Sequence, residues 1–135
     1  MIPVLLIGQR VAFLLLRLGA AFVFMAHGLP KIKNLKVTAE NFSAMGFRPG
    51  KFWGTSIGLL EVFGSIALIA GLFTQIFALL FAIEMVVAGL WKMRHKQKLV
   101  NGYELDFILF FVMLVLATST NAPFSLDWYF QIYLF

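Results

Sequence analysis

Two apolar runs, 52–72 and 75–91, are separated by only Phe73-Thr74. A connection that short joins two helices only as an antiparallel hairpin. Each run has about the ~20 residues that a helix needs to cross a ~30 Å hydrocarbon core. Two further runs of the same kind, 4–26 and 105–120, flank the hairpin. In lipid every backbone N–H and C=O must be satisfied within its own segment or a closed sheet, so runs of this length are helices. The chain therefore reads as an all-α membrane protein, a four-transmembrane-helix up-down bundle. Composition agrees: 61% of the 135 residues are hydrophobic, 13% are charged, and the mean hydropathy is +0.92. A soluble domain of this size has no core large enough to hide so much apolar surface. Residues 1–135 are expected to form a single transmembrane domain. The first run has no basic stretch ahead of it and is longer than a signal's apolar region, so it reads as a span rather than a cleaved leader.

The chain has no cysteine. Thiol–disulfide exchange, thiolate metal sites and Fe–S ligation are excluded as its own chemistry. The net charge of +5 sits mainly in short connections, where topology and lipid headgroups explain basic residues better than nucleic acid does. Lys31, Lys33, Lys36, Arg48 and Lys51 follow the first span; Lys92, Arg94, Lys96 and Lys98 follow the third. Four spans put both groups on one side. The positive-inside rule predicts basic loops in the cytoplasm and both termini outside. The connection 28–51 is long and bracketed by Pro30 and Pro49-Gly50; within it, 38–45 is expected to form a short amphipathic helix at the interface. The aromatic tail 127–135 suits the headgroup belt.

Three ionisable residues lie inside apolar runs: Arg17, Glu61 and Glu84. Counted from His27, Phe52 and Lys92 they are ten, nine and eight residues deep, about 15, 13 and 12 Å. They are thus expected in one mid-membrane layer. Gly54, Gly58, Glu61 and Ser65 share one helical stripe, and Gly54-x-x-x-Gly58 permits close helix approach. On the first helix, Gly8, Ala12, Gly19 and Ala26 form a small-residue stripe, with Arg10 and Arg17 nearly opposite. That helix must then be contacted on two sides, or its arginines face a cavity or another subunit. Intramembrane charges are either an ion network that fixes helix order or a ligand, quinone or proton site.

A second polar layer is expected at the basic end, from His27, Lys31, His95, Tyr103, Glu104 and Asp106. It reads either as helix capping with headgroup contact or as a quinone headgroup site in which His27 and Glu104 supply hydrogen bonds. A haem held by His27 and His95 would need both at suitable depth, yet His95 lies among Lys92, Arg94 and Lys96. The sequence contains no metal cluster, nucleotide loop or hydrolase motif.

Leu16-Arg17-Leu18-Gly19 and His27-Gly28-Leu29-Pro30-Lys31 resemble the opening signature of the DoxX family of small four-helix membrane proteins. Glu61 with the Gly71-Leu72-Phe73-Thr74 turn, Asn101-Gly102-Tyr103-Glu104, and Ser125-Leu126-Asp127 resemble its later motifs, in order and spacing. The tail after Asp127 has no counterpart in that pattern. The resemblance implies a bacterial inner-membrane protein, of a kind linked to thiosulfate:quinone oxidoreductase and to membrane redox complexes that handle oxidative stress. It implies Arg17, His27, Lys31, Glu61 and Glu104 as the polar positions. The expected function is a membrane subunit of a quinone-linked oxidoreductase complex, with Arg17, Glu61 and Glu84 orienting the headgroup or passing its proton. No covalently bound cofactor is expected; quinone is the expected ligand. The expected partners are the bilayer and other subunits or further copies, not nucleic acid. The alternative is a non-enzymatic scaffold that docks through the Arg10/Arg17 face and the aromatic tail. A small transporter ranks behind both, because no broken helix is visible.

Overall fold

The computed structural model describes residues 2–119, 124–132 and 134. The elements are α1 (Ile2–Lys33), α2 (Leu35–Ala44), α3 (Gly50–Ala70), α4 (Thr74–Arg94), α5 (Glu104–Thr118) and α6 (Leu126–Phe130), with a π-type turn over Leu99–Tyr103 before α5. Among the described residues there is no strand. Four helices are long and apolar enough to cross a membrane: Pro3–Lys33, Gly50–Ala70, Thr74–Arg94 and Leu99–Thr118. The protein is an all-α membrane protein. Thr120, Tyr133 and Phe135, which the expected fourth span and tail include, lie outside the described residues.

The stretch 28–51 is mostly helical, with a non-helical turn only at 45–49 and a break at Asn34. α1 continues through Pro30 for three more residues, because the bond lost at the proline nitrogen is a single one. Asn34 then breaks the helix and caps the next: its side chain accepts from Val37 N at 3.3 Å, and Thr38 Oγ1 donates to the Lys31 and Asn34 carbonyls, each at 3.0 Å. α2 starts earlier than expected, at Leu35, and packs one side on the first turns of α3. A Cβ on Gly54 would lie 2.9 Å from Thr38, and one on Gly50 would strike Ala39 and Ser43. Trp91 Nε1 donates to Met45 O at 2.9 Å and ties the end of α2 to α4.

The α3–α4 hairpin turns as tightly as the sequence requires. Gly71 closes α3 with φ 69°, and the Gly71 and Leu72 N–H groups return to Leu68 O and Ala67 O. Asp127, from α6, receives the Phe73 and Thr74 N–H groups at 2.7 and 2.8 Å, satisfying two of the orphan donors at the start of α4. In the core, Phe24 and Phe81 stack at 3.9 Å, surrounded by Leu68, Ala78, Met113 and Leu116. The outward faces carry exposed apolar side chains such as Phe63, Ile66, Ile83, Phe107 and Ile108. In water these would be a large apolar patch; in lipid they are the matching surface.

Candidate functional site

The site begins at a glycine. A Cβ on Gly28 would lie 2.6 Å from Glu61 Cβ, so α1 and α3 touch backbone to side chain at this level. Three residues on, Lys31 occupies the same face of α1. Its Nζ lies 2.5 Å from Glu61 Oε2. Gly58, one turn before Glu61, makes room for the lysine stem: a Cβ there would be 3.2 Å from Lys31 Cβ. Gly54, Gly58, Glu61 and Ser65 are all buried, as their shared stripe requires. Ser65 Oγ donates to the Glu61 backbone carbonyl.

α4 brings Glu84 against this pair. The Glu61 and Glu84 carboxyl groups are close neighbours beside Lys31. Glu84 Oε2 is buried and has no partner among the described residues. A second ion pair joins the last turn of α4 to the first turn of α5, with Lys92 Nζ 2.6 Å from Asp106 Oδ2. These five charged side chains, with Phe24, His27, Met85, Ala88, Leu105 and Leu109, surround a cavity of about 180 Å³. Its floor is closed and its rim is wetter: the Glu61 and Asp106 side chains are 3% and 9% exposed, those of Lys31 and Lys92 27% and 31%. Two lysines face three carboxyl groups, so fully ionised the site carries one uncompensated negative charge. A proton or a ligand's hydrogen-bond donor would balance it.

Of the residues expected from sequence, Lys31, Glu61 and Glu84 converge here, and His27 stands exposed at the rim. Glu104 does not join them: its Oε1 accepts from Asn101 N at 3.2 Å in an exposed turn. His95 stacks on Trp91 at 4.0 Å outside the cavity, so the two histidines do not line one pocket. No group of three or more His, Cys, Asp or Glu suited to a metal occurs among the described residues.

Arg17 is not in the layer with the two glutamates. It is buried at the hairpin end, where Nη2 donates to Phe124 O at 2.9 Å and Asp127 is the carboxylate acting on it. A Cβ on Gly71 would lie 3.0 Å from Arg17 Nη1. The depth count went astray because α1 runs on to Lys33 and because that end meets α3 near Gly58, not at the first turns of α3, which α2 covers. Gly28 sits beside Glu61 and Arg17 beside Gly71, each pair of levels about 15 Å apart along its helix. The orientation of α1 follows. Arg17 faces the bundle, while Gly8, Ala12, Gly19 and Ala26 are exposed. Arg10 is exposed and Arg17 is not, so the two do not form one docking face.

Sequence reasoning did not single out the Lys92–Asp106 pair. Lys92 read as a topology charge and Asp106 as a helix-dipole acid. A lysine in the last turn of one span and an aspartate in the first apolar turn of the next was the available signal.

The DoxX family profile matches residues 12–93, from the first third of α1 through nearly all of α4. Asn101–Glu104 and Ser125–Asp127 lie beyond it. A Bacillus subtilis (strain 168) protein named "Putative oxidoreductase CatD" is 27% identical over 118 residues, which is 87% of this chain and 86% of that protein. No solved structure matches the chain. With the profile spanning more than half of the sequence and every residue of the α1–α3–α4 part of the cavity inside it, the chain belongs to the DoxX family.

Proposed function

We propose that this protein is the small membrane subunit of a quinone-linked oxidoreductase complex, providing a membrane anchor and a headgroup and proton site. The observation that carries the reading is the buried Glu84 Oε2, which has no partner among the described residues, in a cavity where three carboxyl groups face two lysines. Such an oxygen calls for a proton or a donor. Converting a quinone to a quinol takes two electrons and two protons. The electrons would come from a partner redox subunit, since this chain has no cysteine and its described residues include no group of three or more His, Cys, Asp or Glu that could hold a metal. The chain's side chains would do the rest. Lys31 and Lys92 donate to the ring carbonyl oxygens; Glu84 and Asp106 pass protons inward from the wet rim; Phe24 and Leu109 shield the ring. The relative's name, an oxidoreductase, supports the same class of activity. A bacterial inner-membrane location with the basic end in the cytoplasm would supply protons at that rim.

Native mass spectrometry of the protein gently extracted from its own membrane tests this. We expect a stoichiometric quinone or a redox partner, and at least a tenfold loss of bound quinone in Glu84→Gln. If the wild type carries only bulk lipid, and Glu61→Gln and Glu84→Gln leave quinone reduction intact, the reading fails.

A second reading, a scaffold for a larger complex, is favoured by one feature. Residues 3–12 are exposed on every face of α1, with Leu5 at 69% and Ile7 at 62%. The 32-residue helix is about 48 Å long, well beyond a ~30 Å core. Cysteine crosslinking from Gly8→Cys separates the two: a partner captured there, with no quinone on this chain, selects the scaffold.

A further inference from the structure

A second space lies on the outer side of the same two helices that carry the Lys92–Asp106 pair. It is an apolar groove of about 260 Å³ between α4 and α5, walled by Val86, Leu90 and Met93 on one side and Phe107 and Phe110 on the other. Met85 and Asp106 line both this groove and the polar cavity. The partition is therefore one flexible, unbranched side chain and the stem of one aspartate. Gly89 keeps that partition thin, since the nearest atom to a Cβ built on it would be Asp106 Cβ at 3.8 Å.

From this continuity we propose that cavity and groove form one site, for a ligand with a single polar ring and a long hydrocarbon tail. The ring lies among Lys31, Glu84 and Lys92. The tail crosses the Met85–Gly89 seam into the α4–α5 groove and leaves toward lipid. The proposal rests on the quinone reading and adds the ligand's amphiphilic class and its lateral route. Size argues for it: at about 180 Å³ the cavity is smaller than the ~300–1,000 Å³ of ordinary small-molecule pockets, so it admits a ring but no tail. Chemistry argues for it too. Apart from Asp106 and the Tyr103 hydroxyl the groove's lining is apolar, so it offers a hydrocarbon chain far more than it offers a water-soluble substrate. Ligand and protons then use different openings, the seam for one and the lysine rim for the other.

The test compares two probes on the whole protein in lipid nanodiscs: 2,3-dimethoxy-5-methyl-1,4-benzoquinone and its 6-decyl derivative. Gly89→Leu is expected to weaken the decyl probe at least tenfold and to leave the tail-less probe within twofold. Glu84→Gln is expected to weaken both. Val86→Trp fills the groove from its lipid side alone and repeats the comparison if Gly89→Leu does not fold. If neither groove variant affects the decyl probe, or both probes weaken alike, the shared site is overturned while the cavity reading stands on Glu84→Gln. If neither probe binds the wild type, the quinone reading falls and takes this proposal with it.

Discussion

The two ends of the bundle each bury acids and bases, yet they use them differently. At the hairpin end the charges are spent on backbone. Asp127 takes the Phe73 and Thr74 N–H groups, and Arg17 gives to the Phe124 carbonyl. At the basic end, charged side chains meet one another, Lys31 with Glu61 and Lys92 with Asp106, around a space that holds an unpartnered carboxylate oxygen. Arg17 Nε and Thr74 Oγ1 are also buried without a partner at the hairpin end, so what sets the basic end apart is the cavity that its charges line. Charges that satisfy each other beside an opening can exchange partners. The hairpin end is therefore a fastener, and the basic end a site.

The sharpest way to break this contrast is Asp127→Ala. It leaves two N–H groups at the start of α4 without acceptors and Arg17 without its carboxylate. Removing one member of a buried charged network costs ~3–5 kcal/mol. Thermal unfolding in detergent should show the loss, while the surviving folded fraction keeps its quinone affinity. Loss of ligand without loss of stability would reverse the assignment of the two ends.

Lys31→Met comes next, at ~1–3 kcal/mol, because the Lys31 side chain is 27% exposed and solvent softens the loss. It also strips a donor from the cavity. The double variant Lys31→Met/Glu61→Leu should recover most of the stability, since paired buried charges are commonly replaceable by apolar groups of similar size. It should not recover ligand binding. Recovery of both would make this pair another fastener.

Much of this was legible in the chain and some of it was not, for identifiable reasons. The four spans and the Phe73-Thr74 hairpin follow from apolar length alone. The inward stripe of Gly54, Gly58, Glu61 and Ser65 follows from helical period. What failed was the origin of the depth scale. Pro30 looked like a boundary, but losing one hydrogen bond does not end a helix whose next turns are held by Thr38 and Asn34. That shift carried Arg17 to the far end and left Lys31, rather than an arginine, opposite Glu61. The partners of Arg17 lie more than a hundred residues along, in a tail whose pairing no local pattern announces. The Lys92–Asp106 pair was hidden differently, because a lysine at a helix end has a sufficient explanation in topology.

The finest test changes one atom type at each end. Asp127→Asn keeps shape but turns one of the two backbone-accepting oxygens into an NH₂ group facing a donor. Losing such a charge-assisted acceptor costs ~1.5–3 kcal/mol. Glu84→Gln is the same exchange, yet its Oε2 has no partner among the described residues to lose, and the new NH₂ can donate to the neighbouring Glu61 carboxylate. Its stability should stay within ~1 kcal/mol of wild type while bound quinone falls at least tenfold. Parallel melting curves and quinone titrations on the two amides read both quantities. If Glu84→Gln melts as early as Asp127→Asn and binds as before, Glu84 holds the bundle together and the basic end loses its claim to be a site.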